Sequence, residues 1–128
     1  MLFRSTIFLD QACPVQKLPG FDAGWVSVQD ASAQMAAPLL LEGLAVQGGE
    51  ARPRVLDACA APGGKTCHLL ETADIRLLSL DSDARRLQRV RESLQRLKLQ
   101  ADTQVADARQ VSSWWDGQPF DEIGRAHV

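Results

Sequence analysis

The residues best equipped for chemistry lie in one stretch, Asp57-Ala58-Cys59-Ala60-Ala61-Pro62-Gly63-Gly64-Lys65-Thr66. Val55 and Leu56 lead into it, and Cys67, Leu69 and Leu70 follow at helical spacing. That order predicts a strand, a tight loop and a helix. Two glycines let a ligand approach the backbone with no Cβ in the way. A loop that feeds a helix start presents unpaired amide N–H groups. In an open α/β sheet, such a turn is where a ligand binds.

The ending Gly64-Lys65-Thr66 resembles a phosphate-binding loop, but that motif needs a Gly five residues before its Gly-Lys-Thr. Cys59 stands there, and Pro62 has no N–H to offer a phosphate. The dinucleotide fingerprint G-x-G-x-x-G is absent as well. A turn that binds nothing is the plain alternative. The next strand, Ile75 to Leu80, closes with Asp81, and an acidic residue about 20 positions after a Gly-rich turn can accept from ribose hydroxyls. Asp107 follows a third apolar stretch, Thr103 to Ala106, and can hold an adenine edge. A ligand with a ribose but no pyrophosphate fits, and S-adenosylmethionine is one. Each Asp alone is also an ordinary strand-end or N-cap residue.

The string from Asp57 to Thr66 resembles the cofactor motif of the RNA cytosine-5 methyltransferases. Pro14-Val15, Leu18-Pro19-Gly20-Phe21 and the run from Gly24 to Gln34 extend the likeness to the Sun/Fmu branch, over about Pro14 to Asp121. The resemblance implies an α/β fold, the N-terminal half of a Rossmann-like class I S-adenosylmethionine-dependent methyltransferase domain. It would hold strands 1 to 3 and the start of 4, after a short α+β lead-in. The implied cofactor contacts are Cys59, Ala60, Ala61, Pro62, Gly63, Gly64, Lys65, Asp81 and Asp107. The implied reaction is methylation of cytosine C5 in 16S ribosomal RNA, which is then the expected partner. The expected division is a lead-in over 1–49, a partial methyltransferase domain over 50–121, and a non-native tail over 122–128.

With 128 residues, 45% of them apolar and 23% charged, the chain has the composition of one small globular domain. A net charge of −2 gives no global signature of nucleic-acid binding. Cys13, Cys59 and Cys67 are an odd count without metal spacing, so no metal is expected. No leader or membrane-length apolar run is legible, which makes the cytoplasm the default expectation, without a membrane partner.

The elements that must position the site read as follows. Thr6–Leu9 and Trp25–Val28 are candidate strands, separated by a Pro/Gly-rich loop. Met1 to Ser5 carry no recognisable signal, and Gly48-Gly49 closes the lead-in. Asp30 is the expected N-cap of a helical stretch over Ala31 to Leu44, with Pro38 a break or kink within it. His68, on the helix after the loop, has no second ligand at metal spacing and reads as a packed or surface residue. Ser82 is the expected cap of the strongest helix, Asp83 to Leu99, which buries Ala84, Leu87, Val90, Leu94 and Leu97. Arg85, Arg86, Arg89, Arg96 and Lys98 lie off that stripe and read as a solvated face sooner than an RNA contact. Trp114-Trp115 reads as core sooner than as a base-stacking platform.

Glu122 to Val128 shows neither strand alternation nor an apolar run. It back-translates to GAGATCGGAAGAGCACACGTC, which contains the start of a sequencing adapter, so a read-through origin is expected. The family places a Pro-Cys motif after its fourth strand and a Thr-Cys motif beyond, and neither follows Phe120-Asp121 in this sequence, whose Thr66-Cys67 lies in the cofactor loop region. Cytosine C5 becomes nucleophilic only after a thiolate adds to C6; C5 then takes the methyl from the sulfonium, and a base removes its proton. Without that thiolate no turnover is expected. Loss of the later strands should leave the first strand as an apolar edge, in a monomer prone to aggregation. A non-catalytic RNA-binding module and a P-loop NTPase are the alternative functions.

Overall fold

The computed structural model describes residues 6–45 and 52–124. Four parallel strands form one sheet in the order β3-β2-β1-β4. They are β1 (Arg54–Asp57), β2 (Arg76–Asp81), β3 (Asp102–Val105) and β4 (Glu122–Gly124). Helix α1 (Ala36–Ala45) precedes β1, α2 (Gly64–Thr72) joins β1 to β2, and α3 (Ala84–Leu97) joins β2 to β3. In register, Val55 lies beside Leu77, and Asp57 beside Ser79, which lies beside Thr103. Side chains alternate across a sheet, so these five share a face. Val55 and Leu77 meet Ala37, Leu40, Leu41 and Leu69, and Arg91 of α3 donates to the Thr103 hydroxyl at 2.9 Å. All three helices therefore cover that one face.

A second apolar cluster joins Ala60, Ala61 and Cys67 to Leu87, Val90 and Leu94 of α3. Leu87 and Val90 are fully buried, and burial of a side chain of this size stabilises by about 1.5–3 kcal/mol. The core thus reaches directly under the Gly-rich loop. The opposite face carries a groove of about 310 Å³ lined by Arg76, Leu78, Gln104, Trp114 and Asp116 among others. Arg54 closes its end. The guanidinium grips both Asp116 oxygens at 2.9 and 2.7 Å, and stacks on Phe120 at 4.3 Å.

Several local expectations are corrected. Thr6–Leu9 and Trp25–Val28 form no strand. Gly20 and Gly24, at φ of 77° and 78°, fold the chain into successive turns just ahead of the second region, and Trp25 is left 82% exposed. Pro38 neither breaks nor kinks a helix, because α1 starts at Ala36 and Pro38 lies in its first turn, where no N–H partner is lost. Asp30 contributes no side-chain cap there; its carbonyl accepts from Gln34 N. Asp83, not Ser82, caps α3, accepting from the N–H groups of Arg85 and Arg86. Ala84 is exposed and Leu97 half-buried, so the buried stripe is Leu87, Val90 and Leu94. Trp115 is 46% exposed, and Trp114 is half-buried, its ring 6.2 Å from that of Phe120, so neither is core.

The segment after Asp121 does form a strand. Val55, Leu56 and Asp57 pair with Glu122, Ile123 and Gly124. Parallel pairing uses backbone groups, so three residues need no alternation to join a neighbour. β1 is consequently interior, between β2 and β4, and not an edge. Residues 1–5, 46–51 and 125–128, which include Met1 to Ser5, Gly48-Gly49 and most of the expected tail, lie outside the described residues. Among the described residues, no helix is long and apolar enough to cross a membrane.

Candidate functional site

Three strand ends converge at the carboxyl edge of the sheet, where the loop after β1 rests on the end of β2. Ala60 N donates to Leu80 O at 2.9 Å, and Ala61 N to Asp81 Oδ2 at 3.3 Å. Gly63 N turns back to Ala60 O at 2.7 Å, and Cys59 N reaches Asp57 Oδ1 at 3.4 Å. These bonds correct the expectation of a loop rich in free amides. Every N–H from Cys59 to Gly63 donates within the protein, and Pro62 has none. Open donors are confined to the first turn of α2. A polyphosphate cradle needs several converging loop amides, so the phosphate-loop geometry is not met.

The two glycines do different jobs. Gly63 caps α2 at φ 106°, and a Cβ there would lie 3.1 Å from Val90 Cα. Gly64 faces outward: a Cβ would meet nothing nearer than the Gln29 amide nitrogen at 3.9 Å. Gly63 lets the loop lie against α3, while Gly64 leaves a backbone surface that a ligand can approach. Cys59 and Lys65 are half-buried and Pro62 is exposed, whereas Ala60 and Ala61 are buried against α3. Ala60 and Ala61 therefore shape the loop from below.

Asp57 is the loop's internal anchor. Its Oδ2 accepts from the Thr66 hydroxyl at 2.7 Å, tying the two ends of the motif together. Burial pushes the Asp57 carboxyl above the usual range, against the lowering by Thr66, the Cys59 amide and Lys65. Asp81 is buried as well. It accepts from Asp83 N at 3.0 Å and lies 3.6 Å from Arg86 Nη2, besides holding Ala61. Ala106 N donates to Asp81 O at 3.0 Å, which places Asp107 one residue beyond the contact between β2 and β3. Asp107 is more open and is gripped by Arg109, whose guanidinium holds its carboxyl down at about 2.

Sequence reasoning singled out Asp81, Asp107 and the loop, and the structure brings them to one edge. It missed Arg109, the Thr66–Asp57 bond and Gln29, whose side chain from the lead-in lies nearest the open side of Gly64. Arg96 fixes that lead-in: it donates to Phe21 O and Val26 O at 2.7 and 2.9 Å and stacks on Phe21 at 4.0 Å. The arginine-rich face of α3 is thus only partly solvated, although Arg85, Arg86 and Arg89 are exposed. The signal for Arg109 was its place two residues after Asp107; nothing local marked Arg96. His68 is half-buried on α2, and its Nδ1 has no partner among the described residues. No His, Cys, Asp or Glu cluster among the described residues is placed to hold a metal.

Comparison with known proteins agrees with this geometry. The family model described as 16S rRNA methyltransferase RsmB/F matches residues 43–124. The ribosomal RNA small subunit methyltransferase B of Pseudomonas putida is 52% identical over 124 residues, covering 94% of this chain and 26% of that protein. Its namesake in Vibrio cholerae is 53% identical over 121 residues, covering 94% and 26%. The chain spans about a quarter of the length of these curated relatives. Among solved structures, a methyltransferase homologue from Pyrococcus horikoshii aligns with TM-score 0.63 at 25% identity, over 80% of this chain and 32% of that one. NSun6 from the same organism, solved with SFG, aligns with TM-score 0.69 at 24% identity, over 88% and 28%, and shares the fold.

Proposed function

The chain belongs to the 16S rRNA methyltransferase RsmB/F family, and we propose that it carries the S-adenosylmethionine half-site of an enzyme that methylates cytosine C5 in 16S ribosomal RNA. The observation that supports this most is the convergence of the outward Gly64 surface, Asp81 and Asp107 on one sheet edge, with the loop amides already used internally. A surface opened by Gly64, with its loop amides spent internally and its open donors confined to the first turn of α2, suits a sulfonium amino acid joined to a nucleoside. When bound, the cofactor supplies an electrophilic methyl group. The Gly63-Gly64 turn receives the methionine end, with Cys59 to Lys65 forming that wall. Asp81 is assigned to the ribose hydroxyls and Asp107 to the adenine amino group, each as a hydrogen-bond acceptor.

The chain alone is expected to bind cofactor without turnover. Nucleophilic attack on cytosine needs a thiolate. Cys67 is buried, and burial pushes its thiol up to about 11. Cys59 belongs to the cofactor loop, and Cys13 is exposed on the lead-in. Of the lead-in, assigned to 1–49, the described part is tied to α3 through Arg96 and brings Gln29 close to Gly64, and 50–121 is assigned the site. Residues 122–128 are assigned a read-through origin, which resequencing the source DNA beyond the Asp121 codon tests. Glu122–Gly124 pairs with β1 through backbone whatever its source. A cytoplasmic monomer acting on ribosomal RNA is the setting this reading requires. The two outer strands, β3 and β4, carry exposed Val105 and Ile123, and such edges, unpaired on their outer side among the described residues, are assigned the aggregation tendency.

Ultraviolet crosslinking of radiolabelled S-adenosylmethionine to the purified chain tests the assignment. Labelling should be abolished by excess S-adenosylhomocysteine and untouched by ATP. Protection by ATP in place of S-adenosylhomocysteine would favour the NTPase reading. Salt-sensitive RNA binding with no labelling would favour a non-catalytic RNA module. Methyl transfer to 16S RNA by this chain alone would refute the claim of inactivity.

A further inference from the structure

Arg109 stands apart from the other arginines because its backbone N–H, Nε and Nη2 all go to one carboxylate. Its backbone N–H donates to Asp107 Oδ1 at 3.0 Å. Its Nε lies 3.0 Å from Oδ1 and 3.2 Å from Oδ2, and Nη2 lies 2.7 Å from Oδ2. The turn itself is closed by Gln110 N donating to Asp107 O at 2.9 Å. The pair is therefore built within four consecutive residues, immediately beyond β3.

We propose that Arg109 is a positioning residue for the adenine end of the site: it holds the Asp107 carboxylate in one orientation, as an acceptor only, and so selects a 6-amino over a 6-oxo purine. This rests on the assignment of Asp107 to the adenine amino group. An ionised carboxylate has about four acceptor positions. Oδ1 fills two with the Arg109 backbone N–H and Nε. Nε carries one proton, shared with Oδ2, which also takes Nη2; three donors on about four positions leave room for one further donor on Oδ2. An exocyclic amino group supplies that donor. A 6-oxo group brings a second acceptor against the same oxygen, a repulsion that discriminates without any added contact. The Asp107 carboxyl, held at about 2, has no proton to offer the 6-oxo group at neutral pH. The bidentate fork also fixes the carboxylate plane before the ligand arrives, which a lysine ammonium does not do.

The test is titration of S-adenosylhomocysteine and S-inosylhomocysteine into the chain and into Arg109→Met, Arg109→Lys and Asp107→Asn. Arg109 is 89% exposed at its side chain, so these variants leave the core untouched. The unaltered chain should prefer the adenosyl ligand. Arg109→Met should weaken adenosyl binding by about 5–10-fold, the scale of one lost hydrogen bond, with the inosyl ligand unchanged. Arg109→Lys should fall between, since it keeps charge without the fork. Equal weakening of both ligands by Arg109→Met, or none, would overturn the positioning role while Asp107→Asn still lowers the adenosyl preference. No change of preference in Asp107→Asn would overturn the adenine assignment of Asp107, and the role of Arg109 with it.

Discussion

Replacing Gly63 and Gly64 one at a time separates what the loop does for the fold from what it does for a ligand. Gly63→Ala places a Cβ on a left-handed residue at φ 106° and 3.1 Å from Val90 Cα. The left-handed conformation costs a non-Gly residue about 1–2 kcal/mol. The contact is with helix backbone, which cannot rotate away, and forcing such a contact costs about 1–3 kcal/mol. The sum is about 2–5 kcal/mol, a large part of the stability of a small domain. At a urea slope of about 2 kcal/mol per M, the midpoint should fall by about 1–2.5 M. Gly64→Ala adds its Cβ in open space on a helical residue. Its urea midpoint should stay level or rise slightly, by up to about 1 kcal/mol of stability. Its affinity for S-adenosylhomocysteine should fall, because the methyl occupies the ligand's approach. Urea titration followed by circular dichroism, with calorimetric ligand titration beside it, reads both effects. If Gly63→Ala is as stable as the original chain, or if Gly64→Ala binds as tightly, the division of labour between the two glycines is wrong.

Thr66→Val removes the hydroxyl donor from buried Asp57, a loss of about 1–3 kcal/mol. Because burial raises the Asp57 carboxyl, its favourable contribution is present below the unfolded value of 3.8 and is lost as pH rises through the folded value. Without Thr66 the folded value rises further, so urea midpoints should show a larger deficit at pH 7 than at pH 4. Asp107 has the opposite sign: its paired form contributes above 3.8, and the contribution is lost as pH falls toward about 2. Carboxyl carbon shifts followed by NMR should show that low titration, and Arg109→Met should return it toward 3.8. Cys67, at about 11, has roughly one thiol in a thousand ionised at pH 8. Iodoacetamide should therefore modify exposed Cys13 and spare Cys67 in the folded chain, as peptide mass mapping would report. Arg96→Ala unties Phe21 and Val26, and trypsin cleavage after Lys17 should speed up by about 10-fold, as a local opening eased by ~1.4 kcal/mol requires.

The strands and the loop were legible because local sequence decides them. Val55-Leu56 and Leu77 to Leu80 are apolar runs closed by Asp, and the Pro62-Gly63-Gly64 turn can hardly be anything else. The places of Asp81 and Asp107 at the carboxyl ends of their strands followed from those runs, while their proposed role came from the family resemblance. What sequence did not reveal depends on partners far along the chain. Arg96 meets Phe21 across 75 positions, and Arg54 meets Asp116 across 62, so neither carries a local mark. Trp25–Val28 alternates like a strand, yet Gly20 and Gly24 bend the chain ahead of it and no neighbouring strand pairs with it. Ser82 and Asp83 are equally good caps by type; the Asp83 carboxylate reaches the N–H groups of Arg85 and Arg86. Glu122–Gly124 has no strand pattern because its pairing rests on backbone beside β1.

Chemical-shift mapping by NMR, with S-adenosylhomocysteine added to the isotope-labelled chain, tests the central claim most directly. The amides of Gly63, Gly64, Asp81 and Asp107 should move together and saturate, while those of Arg76 and Asp102 on the opposite groove stay still. Absence of any saturable shift, or shifts confined to that groove, would contradict a cofactor site at the carboxyl edge of the sheet.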